Sequence, residues 1–416
     1  MNNYLYKCFD CGMRFSSTEI EDNLIYLCPR CGKAEKNTPL KGVMTVEYDY
    51  KKIKKKYSKE RFFKHQPGKF WLYPYLWPVN KYPDKTVLER LQLNNKPIVQ
   101  FNVDGSELLF FDDTRNPTLS YKDRASSLIA IKALEFGIGE ISAASTGNAG
   151  SSLAGICARL GLKSHIFVPS SIPDSKRIQI QSFGANIYLV DGSYDEAFDL
   201  CLEISSAENI YNRSTAYNPL TIEGKKSAAF DMFIQLKGKL PDYIFIPVGD
   251  GVIISGLFKG FYDQKKLGWI KKYPRLIGVQ AEGSNALVRY IEKGKFEFRN
   301  ASTIADSICA SAPRNLYMAA DAIKRSDGAA ISVTDTEILD AQKNISALTG
   351  ILVEPTGAAT YAAYKKLIQT DKLLSKSKVL LMMTGSGLKD TNALNRWNKK
   401  PVINSISQIK ELFQRK

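Results

Sequence analysis

From about residue 98 onward, short apolar runs of four to six residues recur near 108–111, 141–145, 165–168, 187–190, 243–248, 276–280 and 379–383. Runs of that length, rich in β-branched and aromatic residues, predict buried strands. Between most of them the apolar positions return every three or four residues. That spacing predicts helices near 149–160, 194–204, 221–236, 255–263 and 356–368. Strands alternating with helices imply parallel sheets in α/β domains. In such folds ligands gather beyond the carboxyl ends of the strands.

The loops that follow these strands are unusual in composition. Ser145-Thr-Gly-Asn-Ala-Gly-Ser151, Pro247-Val-Gly-Asp-Gly-Val-Ile253 and Thr384-Gly-Ser-Gly387 each follow an apolar run. Small-residue loops let backbone N–H groups approach an anion. A separate turn, Asn116-Pro-Thr-Leu-Ser-Tyr-Lys-Asp-Arg124, holds one lysine among hydroxyls. Lysine forms Schiff bases with carbonyl cofactors. One such lysine with anion loops points to pyridoxal phosphate chemistry.

Composition narrows the class. The chain has 416 residues, 44% of them hydrophobic, enough for two or three domains with real cores. No run of about 18 apolar residues predicts a membrane span, and the N-terminus lacks a charged start followed by an apolar core. A cytoplasmic enzyme is the expectation. The formal charge is +16, and one tract is dense in it: Lys51, Lys52, Lys54, Lys55, Lys56, Lys59, Arg61 and Lys64. It reads either as an RNA-binding arm or, as the enzyme motifs favour, as a solvated connecting segment. A positive field also suits anionic substrates. Of the two histidines, His165 lies inside an apolar run as a strand residue, which leaves no imidazole for a Ser-His-Asp hydrolase.

Before residue 98 the pattern differs. Cys8 and Cys11 form one CxxC pair, Cys28 and Cys31 a second, each followed by glycine. This is the spacing of a closed four-thiolate zinc ribbon, whose metal replaces the core that so short a module cannot build. A redox dithiol or chance spacing are the other readings. Cys157, Cys201 and Cys309 read as small buried apolar residues. Residues 41–97, with many aromatics and prolines, read as an extended arm or linker. The expected division is a ribbon at 1–40, the arm at 41–97, a large cofactor domain from 98–140 and 236–416, and a small α/β domain at 141–235.

The order of these motifs resembles threonine synthase and its relatives among the fold-type II pyridoxal phosphate enzymes. Further pieces agree in order: Phe183-Gly-Ala185, Glu223-Gly-Lys-Lys-Ser227, Gly278-Val-Gln280, Thr303-Ile-Ala-Asp306, Glu354-Pro-Thr-Gly-Ala358 and Thr384-Gly-Ser-Gly-Leu-Lys-Asp390. An N-terminal zinc ribbon also occurs in some members. The resemblance implies two parallel-sheet domains of the tryptophan synthase β-like kind. Lys122 would hold pyridoxal 5'-phosphate and move protons. Asn148 would meet the ring hydroxyl and Thr384 the ring nitrogen, while Gly249, Asp250, Gly251, Val252 and Ile253 would wrap the phosphate. Ser145, Thr146 and Gly147 would take the substrate carboxylate. A structural Zn2+ would sit on the four cysteines.

Three stretches depart from that family's pattern. Its Asn-Pro-x-Arg-x-x-Gly stretch is Asn218-Pro-Leu-Thr-Ile-Glu-Gly224 here, with Thr221 in place of arginine. Its phosphate loop, Gly-Asn-x-Gly-Asn, reads Gly249-Asp-Gly-Val-Ile253, and its Thr-Gly-His-Gly histidine is Ser386. Arg213, Ser214, Lys225 and Lys226 stand near enough in sequence to replace the lost phosphate ligands. The expected reaction is O-phospho-L-homoserine and water to L-threonine and phosphate, in an enzyme that takes a small amino-acid substrate, expected to be phosphorylated, with a homodimer left open. The alternatives are β-replacement or β-elimination on another activated amino acid, of the cysteate synthase or hydroxyamino acid dehydratase type, and a non-catalytic zinc-ribbon nucleic-acid binder.

Overall fold

The computed structural model describes residues 4–398, apart from 66, 69–73, 82, 104, 146 and 371–373, together with 401, 405–407 and 409. The first sheet is antiparallel, in the order β2-β1-β3, from β1 (Tyr4–Cys8), β2 (Arg14–Ser16) and β3 (Met44–Tyr48). It belongs to the cysteine ribbon, whose third strand thus comes from residues 44–48.

Between 50 and 90 the chain forms short helices, Tyr50–Lys56, Lys59–Phe62 and Lys85–Arg90, where an extended arm was expected. Side chains of Asp49 and Ser58 cap the first two by accepting N–H groups. The lysine tract is the wet face of these helices, and Ile53, Tyr57 and Phe62 form their buried side. This amphipathic division accounts for the tract without a nucleic-acid partner.

The main body starts with an antiparallel pair, β4 (Ile98–Val103) and β5 (Ser106–Asp112). The chain then leaves to build a second sheet from β6 (Glu140–Ala144), β7 (Lys163–Pro169), β8 (Asn186–Val190) and β9 (Tyr211–Asn212), all parallel, in the order β8-β7-β6-β9. It returns to complete the sheet begun by β4 and β5 with β10 (Tyr243–Pro247), β11 (Arg275–Ala281), β12 (Ala329–Val333) and β13 (Val379–Met383). That six-stranded sheet runs β12-β11-β10-β13-β5-β4 and is parallel except for β4. Its central strands β10 and β13 are buried at every residue, as helices on both faces require. Two parallel-sheet α/β units and a four-cysteine module are the expected fold class.

The predicted helix over 221–236 is two helices, Leu220–Lys225 and Ser227–Gln235, meeting at Lys226. The ribbon is bolted to helices of the main body by buried polar contacts. Glu21 accepts hydrogen bonds from the hydroxyls of Tyr4 and Tyr6 and from Lys132 of the Asp123–Glu135 helix. The Tyr48 hydroxyl donates to Glu223 at 2.7 Å. Among the described residues no helix is long and apolar enough to cross a membrane.

Candidate functional site

Between the two sheets a cavity of about 690 Å³ opens to solvent. Its lining includes Lys122, Ser145, Asn148 and Gly249 through Ile253, brought together from stretches far apart in sequence. Thr146 lies outside the described residues.

Lys122 is aimed by its neighbours. Leu119 adopts a left-handed backbone with φ 66°. Asp123 accepts the N–H of Thr118 at 2.7 Å and also its hydroxyl. Arg124 is fully buried between Asp113 and Asp231, both at 2.6 Å. The turn is thus pinned on both sides of a lysine whose amine has no hydrogen bond or ion pair among the described residues. Burial lowers the Lys122 pKa, Arg213 and Lys176 add to that, and Glu354 and Asp250 oppose it. A place at the N-terminus of the Asp123–Glu135 helix further disfavours a cation. Lys122 is an activated amine.

The Gly249–Ile253 loop joins β10 to the Val252–Lys266 helix. Gly251 has φ 87°, and a Cβ there would meet Ala319 Cβ at 2.8 Å; one on Gly249 would approach Ile308 Cα at 2.9 Å. Glycine is required at both places, and it opens first-turn N–H groups toward an anion.

At the second loop Ser145 Oγ accepts the N–H groups of Gly147 at 2.9 Å and Gly150 at 2.8 Å, so the Gly147 N–H is already used. The Ser145 hydroxyl hydrogen and the N–H groups of Asn148 and Ala149, which open the Asn148–Leu160 helix, remain to meet an anion. Asn148 Nδ2 donates to both oxygens of Glu354 and to Ser307 Oγ. That leaves Asn148 Oδ1 buried without a partner, and Thr384 Oγ1, at the end of β13, is likewise unpartnered. A free amine, a glycine loop at a helix N-terminus, a buried orphan amide oxygen and a buried orphan hydroxyl fit pyridoxal phosphate.

Tyr194 and Thr215, not singled out in the sequence, also line the cavity, as does Lys225, one of the candidate phosphate ligands. Thr221, in place of the arginine, is buried and donates to the carbonyl of its neighbour Asn218. One turn later on the same helical face stands Lys225. It is fully buried with no hydrogen bond or ion pair among the described residues, and burial, then Arg213 and Lys122, push its pKa well down. Arg213 is buried too; Nε and Nη1 reach only the hydroxyls of Ser126 and Thr215, and Nη2 has no partner. Burial lowers its pKa to about 10. Lys226, by contrast, is bonded to Glu223 at 2.5 Å and Asp263 at 3.0 Å. Ser214 Oγ accepts the Ala144 N–H and is not among the cavity's lining residues.

In the ribbon the sulfurs of Cys8, Cys11, Cys28 and Cys31 all lie within 4.8 Å of one another, with Cys8 to Cys31 at 3.5 Å and Cys11 to Cys28 at 3.7 Å. A tetrahedron with Zn–S bonds of about 2.3 Å has S–S edges of about 3.8 Å. The donor set fits a structural zinc ion.

Comparison with known proteins agrees with this geometry. A family model described as pyridoxal-phosphate dependent enzyme matches residues 91–385. The chain is 33% identical over 407 residues to a threonine synthase of Methanocaldococcus jannaschii, covering 96% of both chains. It is 33% identical over 409 residues to one of Methanosarcina acetivorans, again with 96% of both covered. Among solved structures it is similar to maize serine racemase, with a TM-score of 0.63 at 20% identity over 79% of this chain and 98% of that one. A fungal L-serine ammonia-lyase from Rhizomucor miehei aligns with a TM-score of 0.62 at 19% identity, over 74% and 98%.

Proposed function

The chain belongs to the pyridoxal-phosphate dependent enzyme family, and on that premise we propose that it converts O-phospho-L-homoserine and water into L-threonine and phosphate. The observation that carries the substrate is the charge imbalance of the cavity. Lys122, Arg213 and Lys225 line or border it with no carboxylate paired to any of them among the described residues. Lys122 goes to the cofactor aldehyde, and Asp250 already offsets part of the charge at the Gly249–Ile253 loop. A phosphate on the substrate would give Arg213 and Lys225 the paired anion that the fold does not supply.

Bound pyridoxal phosphate supplies an electron sink that acidifies the Cα–H of a substrate amino acid. The remaining work falls to side chains. Asn148 and Thr384 orient the ring through the atoms left unpartnered in the fold. Ser145 and the start of the Asn148–Leu160 helix hold the carboxylate, with Thr146 and Gly147 framing it. Lys122, with its lowered pKa, is neutral often enough to take the Cα proton and return protons along the carbon chain. Arg213 and Lys225 hold the departing phosphate, Arg213 by two N–H groups and Lys225 as a point charge. Ser214 acts behind Arg213 through the backbone. The ribbon holds one structural zinc ion. A cytoplasmic location completes the reading, with a homodimer left open.

The test is a panel of phospho- and hydroxyamino acids mixed with purified protein, reading phosphate, threonine and keto acid. Phosphohomoserine should release phosphate and threonine in equal amounts. If it gives no turnover while O-phosphoserine or a hydroxyamino acid does, the assignment fails in favour of β-replacement or β-elimination.

A further inference from the structure

The phosphate loop carries a carboxylate, Asp250, in the lining of the cavity where the cofactor phosphate has to settle. Free to rotate, it would repel that phosphate. Here it is tied down: Oδ1 accepts the Arg314 N–H at 3.1 Å, Oδ2 accepts the Tyr194 hydroxyl at 3.1 Å, and the Asp250 carbonyl accepts the Asn315 N–H at 2.8 Å. The loop hangs from residues 314 and 315.

Arg314 is itself fully buried. Its guanidinium donates to Asp195 at 2.7 Å, lies 3.6 Å from Asp199, and stands over the Phe198 ring at 4.5 Å. Its backbone carbonyl accepts the Leu40 N–H at 3.1 Å, and Nη1 reaches the Thr38 carbonyl at 3.4 Å. Thr38 and Leu40 lie on the segment returning from the second cysteine knuckle. Two residues on, the Gly42 carbonyl accepts the Cys28 N–H at 2.8 Å, and the Gly42 N–H donates to Asp10, inside the first knuckle, at 2.6 Å. A Cβ on Gly42 would lie 2.5 Å from Gly32 Cα, so the segment is seated against the knuckle. Leu40 and Val43 also pack with Val252, the first residue of the helix after the phosphate loop.

We infer that Arg314 is a positioning residue of the phosphate loop, and that metal in the four-cysteine cluster, acting through the 38–42 segment and Arg314, sets how tightly the loop grips the cofactor phosphate. Without metal the knuckles have only a small core of their own, so the segment loosens first. The ribbon strands stay attached through Tyr48 and Glu21, so the rest of the fold persists. The inference rests on family membership alone and is indifferent to which amino acid is the substrate.

The experiment uses the full chain. Pyridoxal phosphate affinity is titrated by absorbance, and the 31P resonance of the bound cofactor is recorded, before and after chelation with metal loss verified by analysis. Affinity should fall on the order of 10-fold or more, the 31P line should move, and zinc should restore both. In Arg314→Met the affinity should already be low with metal present, and chelation should add less than about twofold, because both changes act on one linkage. If Arg314→Met does not fold, Leu40→Ala takes its place, with a smaller shift of the same sign. Unchanged affinity and 31P position after metal loss would overturn the inference, as would fully additive effects of chelation and either variant, or a purified chain that neither holds nor takes up zinc.

Discussion

Lys225 and Lys226 are adjacent in sequence and both fully buried, yet they occupy opposite electrostatic surroundings. Lys226 belongs to a cluster beneath the ribbon in which two lysines, Lys226 and Lys259, face two carboxylates, Glu223 and Asp263, with the Tyr48 and Tyr50 hydroxyls donating to the acids. Lys225 belongs to the cavity wall, where it meets Arg213 and Lys122 and finds no partner. A buried cation without an anion is costly. A fold keeps such a cation where a ligand brings the anion, and balanced ions where the fold supplies its own. The count of counter-charges separates scaffold from site in this molecule better than burial or residue type.

The strongest break in that contrast is Lys122→Ala. The amine proposed to hold the cofactor disappears, so the absorbance of the bound cofactor should be lost, and turnover should fall on the order of 10³-fold or more. The fold should survive, because no other side chain leans on this amine. Turnover near the wild-type rate would end the assignment of Lys122.

The two neighbouring lysines give the next largest effects. Lys226→Met leaves Glu223 and Asp263 sharing one lysine, and should destabilise the chain by about 3–5 kcal/mol in denaturant unfolding. Lys225→Met removes a cation that has no partner, and should leave the apoprotein as stable as before or more so. Equal losses from both would show that the cavity cations are structural after all.

Arg213→Ala sharpens the cavity side alone. Losing charged hydrogen bonds to a substrate phosphate, about 1.5–3 kcal/mol, should raise KM for phosphohomoserine by about 10- to 100-fold. Lys225→Met should act in the same direction. Steady-state kinetics in which KM stays fixed while kcat falls would instead move Arg213 from binding to chemistry.

How legible this was in the sequence follows the same division. The strands of the two sheets stood out because each buried strand is a continuous apolar run. β9, β12 and the edge strand β4 did not, since Tyr211–Asn212 is only two residues long, Ala329–Val333 is largely half-exposed and Ile98–Val103 alternates without a dense apolar core. Lys122, Asn148 and the glycine loop were visible because their chemistry is written in local composition. Lys225 was visible only as one of several candidate cations, because its standing depends on Lys122, about a hundred residues away in sequence, and on which lysine the nearby acids take. Local sequence does not report that Glu223 and Asp263 take Lys226 and leave Lys225 free. The four cysteines were legible from spacing, whereas the path from Gly42 through Leu40 to Arg314 joins segments far apart in sequence, which local composition does not encode.

Lys389 tests the middle of the scale. It is buried near the Lys122 turn and donates to three uncharged acceptors: the Thr118 carbonyl, Ser151 Oγ and Gln179 Oε1. It therefore has hydrogen bonds but no paired carboxylate, a state between Lys226 and Lys225. Burial lowers its pKa to about 8, against Glu354 and Asp123, which favour the charged form. In the unfolded chain the value is about 10.4. Between those two values the unfolded state binds more protons than the folded one, so stability must rise with pH through that window and stay flat below it. From pH 7 to pH 9 the gain from this one group is about 1 kcal/mol. Other groups titrate over the same range, so the measurement is a difference: denaturant unfolding of wild type and Lys389→Met at both pH values. The variant should lack about that much of the rise. Identical slopes would mean that the three acceptors hold Lys389 charged as effectively as a carboxylate does, and the contrast between paired and unpaired cations would then rest on hydrogen-bond count rather than on charge.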